Sequence, residues 1–282
     1  MEQRSKFFQI TIKNKYSNKE QFKSFWFVFI LKVSKRYKCK AGGFFTRYGH
    51  FDNEHREYVI ERVDLPTSWT NYLGVENLAV VVNHTAGEYS FYKSPEYHRI
   101  TRFHGNSVPM DRPGYYIYIR DNEVKEDGTN DYFSISWQPV AKDLEKAKYQ
   151  CRHGMSYTTY ECEYDNIKAS QTLFVPIGDD VVLWDVRVKN EGDKVRDLSL
   201  FSYLEFSFHS INIDNQNFQM SLYCAGSSYK DGIIEEDLFY EPGGYQYFTA
   251  NFEPDGFDCM RDKFLGIDQI FYPKKNFIME YF

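Results

Sequence analysis

Residues 198–226, LSLFSYLEFSFHSINIDNQNFQMSLYCAG, limit what this chain can become. Leu200, Leu204, Phe206 and Phe208 fall on one side of a period-two pattern, and Tyr203, Glu205 and His209 on the other. Alternation this rich in aromatics predicts a half-buried β-strand. The pattern breaks at residues 211–217, which carry Asn212, Asp214, Asn215, Gln216 and Asn217, and resumes over 218–223. A loop of amides between two aromatic strands suits sugar hydroxyls, because Asn and Gln both donate and accept and aromatic faces stack on a pyranose ring. The same residues also read as an ordinary turn, where Asn and Asp are common.

The rest of the chain follows the strand pattern. Its 24 Tyr and 25 Phe exceed what a helical bundle needs and favour pleated, half-buried surfaces. Short strands are expected at 58–60, 78–82, 100–103, 115–119, 154–162, 167–175, 181–188, 232–239 and 245–252, with a hairpin over 84–92. In the 181–188 run, Val182, Trp184, Val186 and Val188 share one face. Residues 66–74 read as a loop and 121–131 as an exposed hairpin loop. One short helix is expected at 140–148, where Leu144 and Ala147 stand at i, i+3. This many strands at near-regular spacing predicts an all-β fold, a large antiparallel sandwich.

Charge divides the chain unevenly. In residues 1–40, eleven Lys or Arg stand against Glu2 and Glu20, a net +9 that leaves −15 for residues 41–282 of the overall −6. Residues 1–45 therefore read as an atypical basic leader, poorly ordered and foreign to the rest of the chain. Its apolar run, Phe25 to Leu31, is too short to span a membrane, which takes about 20 apolar residues. The domain proper is expected over 46–266. Residues 267–282 lose alternation and read as an aberrant or truncated tail. The net negative charge gives no case for nucleic-acid binding. Five scattered Cys with no CxxC pair suggest reduced thiols in a cytoplasmic protein. Cys151 and His153 are neighbours, but no second ligand pair stands at zinc spacing, so no metal site is expected.

Several passages, in order, carry a resemblance. They are Tyr48-Gly49-His50-Phe51-Asp52, Arg56-Glu57-Tyr58-Val59-Ile60, Trp69-Thr70-Asn71-Tyr72-Leu73-Gly74 and Tyr89-Ser90-Phe91-Tyr92. Arg99-Ile100-Thr101-Arg102, Trp137-Gln138-Pro139-Val140, Arg152-His153-Gly154, Phe174-Val175-Pro176 and Phe201-Ser202-Tyr203-Leu204-Glu205-Phe206 come next, then Asn217-Phe218-Gln219. Together they resemble the amino-terminal part of the cellobiose and cellodextrin phosphorylase group, glycoside hydrolase family 94. The resemblance implies a β-supersandwich, similar to the galactose-mutarotase-like fold, that precedes an (α/α)6 catalytic barrel. It implies cleavage of a β-linked gluco-oligosaccharide by inorganic phosphate, a co-substrate, to give α-glucose 1-phosphate, with no other cofactor. Such chemistry needs one protein acid, because phosphate replaces the base-activated water of an inverting hydrolase.

The resemblance also implies a division of labour. The general acid and phosphate site belong to the barrel, so no catalytic residue is expected in this chain. The sandwich packs on the barrel, takes part in a homodimer and lends a loop to the acceptor subsite. The residues expected to contact sugar are Asn215, Asn217, Gln219 and Met220. Where cellobiose phosphorylases place an Arg, this chain has Met220, whose thioether cannot donate to a hydroxyl.

Other residues have plainer readings. Asp255 with Asp258, or Glu205 with Asp214, could be drawn as carboxylate pairs for hydrolysis, yet surface and turn acids are common. His153 reads as a structural histidine. Trp69 and Tyr72 could stack on sugar, against the default of core packing. Two functions therefore compete: a truncated disaccharide phosphorylase, and a stand-alone carbohydrate-binding or interaction module.

Overall fold

The computed structural model describes residues 11–16, 23–25, 48–102, 113–207, 211–216, 225–238, 245–261 and 264. In chain order the first strands are β1 (Thr11–Tyr16), β2 (Lys23–Phe25), β3 (Gly49–Asp52), β4 (Glu57–Ile60), β5 (Thr70–Leu73), β6 (Leu78–Asn83) and β7 (Glu88–Tyr92). Next are β8 (Tyr116–Val124), β9 (Asn130–Ser134), β10 (Ala147–His153), β11 (Tyr157–Tyr164), β12 (Ile167–Phe174), β13 (Leu183–Asn190) and β14 (Arg196–Tyr203). A short helix α1 (Ile211–Gln216) precedes β15 (Ala225–Lys230), β16 (Ile233–Leu238) and β17 (Tyr245–Thr249). The fold is all-β and antiparallel throughout, as the alternation predicts.

The strands form four sheets. A seven-stranded sheet runs β2-β13-β12-β11-β10-β4-β3, and a four-stranded sheet runs β1-β14-β8-β9. Two three-stranded sheets, β5-β6-β7 and β15-β16-β17, complete the described part. Local chemistry sets the register. Between β11 and β12, Asp165 and Asn166 both adopt positive φ, 48° and 61°, so Tyr164 pairs directly with Ile167. Two left-handed residues match the twist of the flanking strands, and Asp and Asn tolerate that conformation better than other non-glycine residues. Inward residues Ile167, Ala169, Gln171 and Leu173 then alternate along β12. Gln171 bridges to the next sheet, donating through Nε2 to the Tyr115 carbonyl at 3.0 Å.

β14 departs from its expected half-burial. Every residue from Leu198 to Tyr203 is buried. Leu200, Leu204 and Phe206 line a cavity, while Phe201 and Tyr203 pack on Phe264 at ring separations of 6.4 and 5.4 Å. The period-two pattern is real, but both faces lie inside the molecule. Tyr203 and Glu205 on the nominally outer face are covered by the segment around Arg261 and Phe264.

Three further expectations are corrected. Residues 140–148 form no helix. Asp143 closes a single turn, accepting from the Ala147 amide at 2.9 Å, and Ala147 already begins β10. Leu144 is 51% exposed, so the i, i+3 pair has no core to face. Among the described residues a short helix instead forms at α1, inside the stretch read as a polar turn. Of the strand expected at 100–103, Thr101 makes an isolated bridge with Phe206, next to one between Phe91 and Arg99, and residue 103 lies outside the described residues. Conversely, residues 70–73 and 121–124, read as loop, pair as β5 and the end of β8.

Within the stretch read as a leader, β1 pairs with β14 over six residues and β2 pairs with β13 over three. The tail, 267–282, lies outside the described residues. No helix among the described residues is long and apolar enough to cross a membrane.

Candidate functional site

The candidate sugar loop begins where β14 ends, and its base is built by pairing across 103 residues of chain. The Arg102 amide donates to the Glu205 carbonyl at 2.9 Å, and the Ser207 amide donates to the Ile100 carbonyl at 2.7 Å. Side chains reinforce this join. Arg102 Nε donates to Glu205 Oε2 at 2.5 Å, with the two side chains 1% and 2% exposed. Arg261 Nε reaches Glu205 Oε1 at 3.2 Å, and the Tyr203 hydroxyl donates to the same oxygen. Burial alone would raise the Glu205 carboxyl, but the charges and hydrogen bonds of Arg102, Arg261 and Tyr203 outweigh it and hold it at about 2. Glu205 is thus a fixed anion at working pH. It cannot act as a general acid, and as a base it is unavailable, buried with Oε2 held by Arg102 and Oε1 by Tyr203 and Arg261.

Beyond Ser207 the chain enters α1, whose Ile211 amide donates to the Glu96 carbonyl at 2.8 Å. Of the residues expected to contact sugar, Asn215 lies in α1. Asn217, Gln219 and Met220 lie outside the described residues. The segment 94–102, which from sequence reads as the Arg99–Arg102 motif and the start of a strand, is what this loop stands on. Arg99 is buried there, stacked 4.0 Å from the Tyr89 ring centre and donating to the Pro95 carbonyl at 3.2 Å.

Beside the loop base lies a cavity of about 640 Å³. Leu200, Leu204 and Phe206 line one side, and Trp184 and Phe248, with ring centres 5.7 Å apart, line another. Gln246 supplies a polar group. Its Nε2 donates to the Ser207 carbonyl at 3.5 Å, and its buried Oε1 has no hydrogen-bond partner. The volume is in the range of small-molecule pockets, and the lining is mostly apolar.

The other tempting residues resolve into structure. His153 sits between the Trp69 carbonyl, 3.1 Å from Nε2, and Thr158 Oγ1, 3.0 Å from Nδ1. Burial pushes it down to about 4, so it is neutral and held at both nitrogens. Trp69 packs half-buried against Tyr48 and Tyr58, whereas Tyr72 is 68% exposed. Asp258 accepts from the Met260 amide at 2.7 Å, a turn contact. Asp52, His55 and Glu57 gather their ligand atoms within 4.8 Å. Arg152 already serves both carboxylates, at 3.6 Å and 2.8 Å, and His55 meets Asp52 at 2.7 Å, so the group is a salt-bridge network.

Residues 56–271 match the family model described as the glycosyl hydrolase 94 supersandwich domain. The chain belongs to glycoside hydrolase family 94. Within that family, this supersandwich is 54% identical over 224 residues to the N,N'-diacetylchitobiose phosphorylase of Vibrio proteolyticus. It is 53% identical over 224 residues to the protein of the same name from Vibrio furnissii, and 27% identical over 224 residues to the solabiose phosphorylase of Paenibacillus borealis. Each match covers 78% of this chain and 27–28% of the relative. The supersandwich chain thus spans about a quarter of the length of the curated relatives it matches. The substrates in those names include no cellobiose.

Proposed function

We propose that this chain is the supersandwich portion, residues 46–266, of a cytoplasmic inverting disaccharide phosphorylase. Its role there is to support and complete a helical catalytic domain in a homodimeric enzyme. The whole enzyme would use inorganic phosphate to cleave a β-linked disaccharide and release an α-sugar 1-phosphate. The observation that carries this reading is the 54% identity to a named phosphorylase across 78% of the chain. The site geometry agrees on the division of labour. The carboxylate at the loop base is fixed as an anion by Arg102 and Arg261, and His153 is neutral and bonded at both nitrogens.

The relatives' names move the substrate class from a plain glucan toward an N-acetylated one. Met220 fits that move. A thioether cannot donate to a hydroxyl, but it packs well against the methyl of an acetamido group. The loop 214–220 would then form an apolar lip to the acceptor subsite, with Asn215, Asn217 and Gln219 supplying polar contacts.

The test is a chimera in which residues 46–266 replace the matching part of the Vibrio proteolyticus protein. The chimera is expected to release sugar 1-phosphate from N,N'-diacetylchitobiose, and the chain alone to release none. A folded chimera with no phosphorolysis of any β-linked disaccharide overturns the proposal. So does turnover by the isolated chain.

A further inference from the structure

The family match begins at residue 56, yet two strands from the basic leader lie in the sheets. β1 pairs with β14 from Thr11↔Phe201 to Tyr16↔Arg196. β2 pairs with β13 from Phe25↔Val186 to Lys23↔Val188. Both are terminal strands of their sheets. Among the described residues, β14 and β13 would be the sheet edges without them. β14 is a poor edge. Ser199, Leu200 and Phe201 are all buried, and in an antiparallel strand alternate residues point their N–H and C=O to the side away from β8. Buried backbone groups without partners are costly, and an open apolar edge recruits other strands.

We infer that β13 and β14 present strand-acceptor edges, and that the basic leader of this chain occupies them as its own donor strands. Charge favours the pairing, since residues 1–40 carry +9 against −15 in the remainder. The register sets Lys15 opposite Asp197. The sequence of β1, TIKNKY, also has the character of a protective edge strand. It carries Lys at alternate positions, 13 and 15, and Lys on an edge discourages further strand addition. The leader thus holds two roles, pairing the β13 and β14 edges that no other strand among the described residues pairs, and placing a Lys-bearing sequence in the edge position.

Hydrogen exchange on the intact chain tests this first. Amides of Arg196–Phe201 that point away from β8 are expected to be protected along with those that point toward it. Free exchange of the outward set overturns the inference. A second test replaces Ile12 and Lys13 together by Pro. Adjacent prolines remove a donor to β14 whichever of the two residues faces it. The outward β14 amides should then exchange at least about tenfold faster, while β11 and β12 stay protected as a folding control. The variant should also self-associate with rising concentration in sedimentation velocity, through the opened edge. A synthetic peptide of residues 9–27 should return it to monomer, and a scrambled peptide should not. Unchanged β14 protection and a monomeric variant would show that the leader does not cover β14 and would overturn the inference. If the variant fails to fold, the measurement on the intact chain still decides.

Discussion

Arg102 and Glu205 form a buried ion pair at 2.5 Å that ties the base of the candidate sugar loop to the segment 94–102. Losing one member of such a pair leaves the other charge uncompensated in the interior. Glu205→Gln is expected to cost about 3–5 kcal/mol, read as a fall in denaturation midpoint. Because Arg261 shares the same carboxylate, Arg102→Met should cost less than Glu205→Gln. Equal losses in the two variants would show that Arg261 contributes nothing.

The same pair fixes a pH window. The Glu205 carboxyl lies at about 2 in the folded chain, against an ordinary 4.5. A carboxyl lowered on folding stabilises above its unfolded value, and that contribution is lost as pH falls from 4.5 toward 2. The expected loss is about 3 kcal/mol across this window. Urea unfolding at about pH 7, 4.5 and 3 should show it, and Glu205→Gln should flatten the curve in that range.

A second window opens at higher pH. His153 is buried neutral, at about 4 against an ordinary 6.5, and burial also lowers His84. The unfolded chain takes up these protons between 6.5 and 4, whereas the folded chain does not take up the His153 proton until about 4. Stability should therefore decline as pH falls through this interval, most of which lies above the carboxylate window. His153→Gln is expected to remove part of the slope between about pH 6.5 and 4.5. An unaltered slope would place the proton uptake elsewhere.

Much of this fold is legible because period two survives in most strands. β11, β12 and β13 can be read from alternation and from the Asp165-Asn166 turn. Local reading fails at positions decided by distant partners. Arg102 and Glu205 both stand out as motif residues, but no local signal pairs residues 103 apart. The double-sided burial of this stretch is equally invisible, since Tyr203 and Glu205 fall on the face opposite Leu200 and Leu204 in the period-two pattern, and only tertiary contacts cover them. The helix expected at 140–148 rests on two apolar positions, and the cost of nucleating a turn needs more packing than that. Of the expected site, only Asn215 falls among the described residues.

Gln246 offers a test of the cavity. Its Oε1 is buried with no hydrogen-bond partner, a burden of about 1–3 kcal/mol. Gln246→Met keeps the volume and removes the unsatisfied acceptor, so the melting temperature should rise. A fall would mean that Oε1 is satisfied in solution.

The proposed acceptor loop yields the last prediction. In the phosphorylase reaction the acid and the phosphate must share one cleft with the glycosidic oxygen, so the loop can alter acceptor choice without touching the chemical step. Met220 presents a thioether where an Arg would present a fork of donors. In the active chimera, Met220→Arg should therefore favour acceptors rich in hydroxyls over acceptors bearing acetamido methyls. The assay is reverse synthesis, with glucose and N-acetylglucosamine as competing acceptors and the sugar 1-phosphate as donor. The ratio of rates should shift toward glucose by about tenfold, the worth of one or two new charge-assisted hydrogen bonds together with weaker packing on the acetamido methyl. A lower rate for both acceptors in equal proportion would mean a general disturbance of the loop. An unchanged ratio would place the acceptor contact away from residue 220 altogether.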